Sequence, residues 1–214
     1  PDKKKIIGRI KGYHGVTIAA ASVTGTPINH QAFDLPIDGF LHADCPHFYR
    51  SAEEGETEED YATRLANNLD ALIESEGPDT VAAFFAEPVM GAGGVLIPPA
   101  TYFEKIQGVL RKHDVLLVAD EVICGFGRTG NMWGCETFDI RPDIITCAKA
   151  LSSGYIPISA IMVSEEVFRP IAEQSAEIGA LGHGYTYSGH PVAAAVAVET
   201  LKIYEEMDLL TMVR

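Results

Sequence analysis

Val115-Leu116-Leu117-Val118-Ala119-Asp120-Glu121 reads as an unbroken apolar strand that ends in two carboxylates. A second run of the same kind, Asp143-Ile144-Ile145-Thr146-Cys147-Ala148, ends in Lys149, the only lysine between Lys112 and Lys202. Residues 6–10, 81–86 and 158–163 are further short apolar runs. Strands that are continuously apolar, rather than alternating, are buried on both faces, as in a parallel sheet covered by helices.

Helical segments separate these runs. Thr57-Glu58-Glu59-Asp60 has the form of a capping box. After it, Tyr61, Leu65, Leu69, Leu72 and Ile73 recur at helical spacing until Gly77-Pro78. Tyr102, Phe103, Ile106, Val109 and Leu110 mark one face of a helix over residues 99–113. Residues 17–22 begin a short helix, and residues 191–204 form an alanine-rich one. Strand and helix in alternation predict an α/β fold with a mostly parallel sheet covered by helices. Residues 26–57, rich in Pro, Gly and His, show no regular period and read as a long ordered loop of functional kind.

The 214 residues suffice for one sizeable core. Apolar residues are 47% and charged residues 21%, the balance of a folded domain. Sixteen basic residues against 30 acidic ones leave a net charge of −14, which argues against nucleic acid or an anionic membrane as the main partner. Part of that acidity is local, in Glu53, Glu54, Glu56, Glu58, Glu59 and Asp60, and reads as a solvated loop and helix start. No apolar stretch reaches the length of a membrane span and no signal peptide is visible. Cys45, Cys124, Cys135 and Cys147 form no C-x-x-C pair, so the expected setting is reducing and cytoplasmic. The absence of an initiating Met and the abrupt end at Arg214 suggest a portion of a longer protein.

In open parallel sheets, ligands sit beyond the carboxyl ends of the strands. Glu87, Asp120 and Lys149 each follow a strand, so one pocket is expected to hold all three. An amine and a carboxylate so placed are what an aldehyde cofactor with a protonated ring nitrogen requires: the lysine supplies an imine nitrogen and the aspartate a counter-charge. Competing readings exist. A strand-end lysine is commonly a solvated charge. An apolar run closed by Asp-Glu also resembles the Mg²⁺-holding strand of P-loop hydrolases, but the G-x-x-x-x-G-K-[ST] loop they need does not occur. His42-x-x-Cys45-x-His47 matches no common zinc spacing, and no metal site is expected. Gly91, Gly93 and Gly94 do not complete a G-x-G-x-x-G turn and read as backbone flexibility.

Six stretches together resemble the class III, or omega, aminotransferases, pyridoxal-phosphate enzymes of fold type I. They are residues 12–15 (GYHG), 87–94 (EPVMGAGG), 119–122 (ADEV), 125–130 (GFGRTG), 149–151 (KAL) and 186–191 (TYSGHP), in the family's order over nearly the whole chain. The resemblance implies that residues 1–190 are the central part of the cofactor-binding large domain. Residues 191–214 would then be a helix leading toward a small carboxyl-terminal domain outside the sequence, as is the family's Gly/Ser-rich phosphate turn.

On that resemblance Lys149 forms the imine with pyridoxal 5'-phosphate and moves the proton, its pKa lowered by burial and by the cationic ring. Asp120 pairs with the pyridine nitrogen, where two unit charges about 4 Å apart attract by roughly 4 kcal/mol at an effective dielectric near 20. Tyr13 stacks on one ring face and Val122 packs on the other; His14 and Glu87 complete the cofactor site. Thr186 reaches the phosphate of a partner subunit's cofactor, which implies a homodimer or larger homo-oligomer with a shared active site. The implied reaction moves an amino group from an amine or omega-amino acid to a keto acid such as pyruvate, closest to the omega-amino acid:pyruvate and amine transaminases. A decarboxylase, racemase or aminomutase would use the same lysine and aspartate, and a non-catalytic scaffold would need neither.

Overall fold

The computed structural model describes residues 3–214. Six strands form one sheet: β1 (Lys5–Arg9), β2 (Phe40–Ala43), β3 (Val81–Ala86), β4 (Leu116–Asp120), β5 (Ile144–Cys147) and β6 (Ala160–Val163), in the spatial order β2-β1-β3-β4-β5-β6. All neighbours pair in parallel except β5 and β6, which are antiparallel. The helices are α1 (Ile18–Val23), α2 (Phe48–Ser51), α3 (Glu58–Glu76), α4 (Tyr102–Lys112), α5 (Gly134–Thr137), α6 (Glu165–Ile178), α7 (Pro191–Glu206) and α8 (Leu209–Val213). No helix among the described residues is long and apolar enough to cross a membrane.

The sheet order follows from the connections. The chain leaves β1, returns to pair at its outer edge as β2, then crosses to the other side of β1 as β3. The direction of winding therefore reverses between β1 and β3. A reversal of that kind opens a crevice at the carboxyl ends of the two strands.

Helices α3 and α4 supply the main core. Tyr61, Leu65, Leu69 and Ile73 of α3 and Phe103, Ile106 and Leu110 of α4 pack with Ile7, Phe84, Leu117 and Ala119 from the strands. The spacing that predicts α3 from the sequence is the stripe that the core buries. Its start is held as expected: Thr57 Oγ1 accepts from Asp60 N, and Asp60 Oδ2 accepts from Thr57 N. Asp70 of α3 ties this helix to the end of α4 through Lys112 Nζ, 2.8 Å from each carboxylate oxygen, and through His113 Nε2 at 2.5 Å.

Several expectations change. The loop expected over residues 26–57 contains β2, the edge strand of the sheet, and the short helix α2. Four half-buried residues between Gly39 and Asp44 are too few to show a period. Helix α4 starts at Tyr102, not near Pro99; the Tyr102 N–H donates to the Pro99 carbonyl at 3.0 Å. The last strand is shorter than residues 158–163, and its apolar side chains are exposed, Ile161 at 67%. An unbroken apolar run implied burial on both faces; β6 is instead an edge strand paired on one side only. The sequence reading passed over helix α6, which runs unbroken through Pro170 between Ser164, whose Oγ accepts from Val167 N, and Gly179 in the left-handed region; none of its residues is buried.

The capping box makes one expectation measurable. Thr57→Ala removes a bond to an exposed helix start and should lower unfolding free energy by about 1 kcal/mol, with an unchanged denaturant slope. A loss below a few tenths of a kcal/mol in urea titration would show that α3 is held by its buried stripe alone.

Candidate active site

The site grows from the carboxyl ends of β1, β3 and β4, at and beside the crevice where the winding reverses. Asp120 closes β4 and is 7% exposed. Its Oδ2 lies 2.7 Å from His14 Nδ1, and its Oδ1 accepts from the Val122 backbone N–H at 3.0 Å. A carboxylate only accepts, so His14 Nδ1 carries the proton. The His14 ring is edge-on to Phe85 at 5.8 Å, and its Nε2 is buried without a partner. The His14 backbone N–H donates to Thr24 Oγ1 at 2.8 Å, which fixes the residue from the α1 side.

Glu87 follows β3 and is buried. Its Oε1 accepts from Tyr13 N at 3.1 Å and its Oε2 from Gly91 N at 2.8 Å, so it clamps the loop after β1 to the loop after β3. Tyr13 itself is half-buried. Behind this clamp Arg9, 0% exposed, donates from Nη2 to the Glu87 carbonyl at 2.6 Å. Its guanidinium lies 5.9 and 5.8 Å from the ring centroids of Tyr102 and Phe103. Gly93 is required by space rather than by flexibility: a Cβ there would sit 2.6 Å from the Lys11 carbonyl oxygen.

Glu121, also 0% exposed, turns the other way from Asp120. It accepts from the backbone N–H groups of Gly134 at 2.9 Å and Cys135 at 2.7 Å, and so holds the start of α5. Three buried carboxylates thus stand side by side at strand ends, each with two N–H donors. Burial pushes the thiol of the neighbouring Cys124 up to about 12, and the surrounding carboxylates add to that shift. Cys135 is raised as well, again chiefly by burial. Neither is poised as a nucleophile.

Lys149 follows β5, the neighbour of β4, with Asp120 in register with Thr146. It has φ +42°, inside the left-handed region, where a non-glycine residue carries strain of roughly 1–3 kcal/mol. Such strain clusters at working sites. Lys149 is exposed among the described residues. It lines a shallow concavity with Arg128, Ser153 and Tyr204. A short 3₁₀ turn, Lys149–Ser152, begins at this residue as soon as β5 ends.

The remaining candidates divide in the same way. Val122 is half-buried and joined to Asp120 through its backbone. Thr186 lies in a stretch, 181–192, where every residue is exposed, and no contact brings it to Asp120. Of the residues behind the metal reading, His42 Nε2 meets the Thr24 carbonyl at 3.0 Å, and Cys45 Sγ lies 4.0 Å from Met90 Sδ. The sequence reading missed Arg9 and Glu121. Arg9 has a visible signal, the one charge inside an apolar run; Glu121 has none beyond its place next to Asp120.

Two measurements test this geometry. Glu87→Ala leaves the Tyr13 and Gly91 amides without their acceptor, and their hydrogen exchange should accelerate selectively; unchanged exchange at both would show that the clamp is not what orders the loop. Cys124 and Cys135 should resist alkylation in the native protein at mildly alkaline pH and react on unfolding. Labelling of either at the rate of a free thiol would contradict their burial.

Comparison with known proteins bears on the whole chain. The family model described as aminotransferase class-III matches residues 1–214. A gamma aminobutyrate transaminase 3 of Solanum lycopersicum is 62% identical over 213 residues, covering 100% of this chain and 41% of the relative. A vanillin aminotransferase of Capsicum frutescens is 58% identical over 213 residues, covering 100% of this chain and 46% of the relative. Among solved structures, a transaminase with L-alanine superposes with a TM-score of 0.97 at 64% identity, over 98% of this chain and 50% of that one. An omega transaminase from Pseudomonas jessenii in complex with PMP gives a TM-score of 0.97 at 61% identity, over 98% of this chain and 46% of that one. The chain thus spans about half the length of the relatives it matches. With carboxylates, amine and sheet order in the arrangement described, and with a match that runs from end to end, the chain belongs to the class III aminotransferases.

Proposed function

We propose that the protein transfers an amino group from an amine or omega-amino acid to a keto acid such as pyruvate, with pyridoxal 5'-phosphate as cofactor. The observation that carries this reading is Asp120, buried at the end of β4 and held by His14 at 2.7 Å, with Lys149 at the end of the adjoining strand. A relative named for gamma aminobutyrate supports a donor of the omega-amino acid class, and one named for vanillin, an aldehyde, supports a carbonyl acceptor.

The donor set fits the cofactor's two chemical demands. When bound, the group supplies an electron sink that stabilises negative charge at the carbon next to the transferred nitrogen. Asp120 offers the counter-charge for a protonated ring nitrogen. His14 keeps that carboxylate in one orientation, and Val122 N holds its other oxygen. Tyr13, on the loop that Glu87 clamps, offers an aromatic face. Lys149 would offer the amine that holds the cofactor aldehyde, and its nitrogen would carry the proton. To do so it must lose its own proton part of the time. Among the described residues Lys149 is exposed.

Thr186 belongs to the same proposal in a different way. Its exposure suits a hydroxyl that serves the phosphate of a partner subunit's cofactor, which makes the working unit a homodimer or larger homo-oligomer. Residues 1–190 are then the central part of the cofactor-binding domain, and residues 191–214 lead out of it.

The test is a visible absorption scan of the full-length protein with pyridoxal phosphate, before and after an amine donor. A band should appear, shift with donor and return with pyruvate. Lys149→Ala should abolish the band, and Asp120→Asn should keep cofactor but lose at least about a hundredfold in rate, the scale of a single electrostatic contact to a reacting centre. A band unaffected by donor would remove transamination and leave another reaction of the same cofactor. Full activity in Asp120→Asn would remove the role of Asp120.

A further inference from the structure

The turn that carries Lys149 has a shape that needs an external restraint. Lys149 has φ +42°, Ala148 before it has φ −161° and ψ −147°, and Ser153 has φ +49° and ψ 27°. Non-glycine residues hold such conformations only where their surroundings fix them. The turn's own backbone bonds are Leu151 N to Ala148 O at 2.9 Å, Gly154 N to Lys149 O at 3.3 Å, Ser153 N to Ala150 O at 3.2 Å and Tyr155 N to Ser152 O at 3.0 Å. The second is long; Ser152 Oγ also donates to the Ile156 carbonyl at 2.7 Å, and residues 152–154 lie outside the sheet.

One side chain from outside the turn closes it. Tyr204, in the last turn of α7, donates from its hydroxyl to the Ala150 carbonyl at 2.7 Å. The same hydroxyl oxygen lies 2.5 Å from Ser153 Oγ. A phenol has one proton, and here it goes to Ala150; the serine must therefore donate to the phenol oxygen. The result is a relay in one direction, Ser153 to Tyr204 to Ala150, in which each bond polarises the next. The Ala150 carbonyl also accepts from Ser153 N at 3.2 Å, so both of its lone pairs are engaged. The Tyr204 ring is anchored in turn, packed with Leu201 against a cluster of Phe126, Cys147, Leu151 and Ala197. That cluster joins β5, the loop after β4, and α7.

We propose that Tyr204 is a positioning residue for Lys149: its hydroxyl fixes the left-handed turn from which the amine projects, and so sets where that amine meets the reacting centre. The proposal rests on the reading of Lys149 as the cofactor-bearing amine. It also predicts a role for Ser153, as the donor that holds the phenol in its productive rotamer. Neither residue touches a reacting atom; both act through the backbone of residues 149–153.

The test uses Tyr204→Phe in the full-length protein, which keeps the ring and its packing and deletes only the hydroxyl. Hydrogen exchange in the cofactor-free protein is the first readout. The amides of residues 151–155 should exchange at least fivefold faster, with those of β3 and β4 unchanged. Ser153→Ala should shift the same amides less, and should add nothing in the Tyr204→Phe background. The second readout is kinetic: kcat should fall about tenfold with KM nearly constant, and the alkaline or acid limb of the rate profile assigned to the lysine should move. Unchanged exchange and unchanged kcat in Tyr204→Phe overturn the proposal. Faster exchange spread evenly over the sheet also overturns it, because that is general loosening. Selective loosening in a protein that takes up no pyridoxal phosphate keeps the restraint on the turn and removes the aminotransferase reading instead.

Discussion

Asp120 must stay where water cannot reach it freely, and its two oxygens must both be satisfied there. An unpaired buried carboxylate would be prohibitive, so its partners are as fixed as the residue itself. One partner, Val122 N, is local to the strand end. The other, His14 Nδ1, arrives from the far side of β3. That single 2.7 Å contact requires β1, β3 and β4 to lie in this order, and requires the loop after β1 to fold toward β4. Glu87 enforces the second condition by holding the Tyr13 and Gly91 amides together, and buried Arg9 holds the Glu87 carbonyl in turn. Glu121 repeats the device toward α5. The strand ends are thus a row of acceptors satisfied by loop amides, and the loops take their shape from it.

Lys149 differs from this row in its environment. The acids are buried and doubly bonded; the lysine is exposed, on a strained turn, among Arg128, Ser153 and Tyr204. The two halves of the chemistry are set by different parts of the chain. Counter-charge and ring face come from β1, β3 and β4; the amine comes from β5 and the helix α7 that packs on its turn. Relatives extend to roughly twice this length, and the wide exposure of β6 and of residues 181–192 marks where these residues carry no cover of their own.

Much of the fold was legible because the signals were local and repeated. The α3 stripe and its capping box, and the apolar runs of β3, β4 and β5, each lie within one stretch of sequence and correspond to the elements found. Strand β2 was not legible: four half-buried residues carry no period, and their strand character comes from pairing with β1. Helix α6 carried start and stop signals in Ser164-Glu165-Glu166 and Gly179, and Pro170 within it masked them. For the site, residue types and their places after strands pointed to Asp120, Glu87 and Lys149. What residue type did not show is the shape of the turn that carries Lys149, which opens at φ +42°.

The sequence by itself determined the fold class, the strand ends that carry acid and amine, and the family pattern. All of these depend on residue type, short-range period and order along the chain. Only the tertiary structure decided that His14, 106 residues away in sequence, is the partner of Asp120. It alone gave Glu121 to the start of α5, made Gly93 a matter of space, and placed the Tyr204 hydroxyl on the turn of Lys149. The physical reason is the same in each case. A buried polar atom is satisfied by whichever donor the sheet order brings within about 3 Å, and distance along the chain does not record that order.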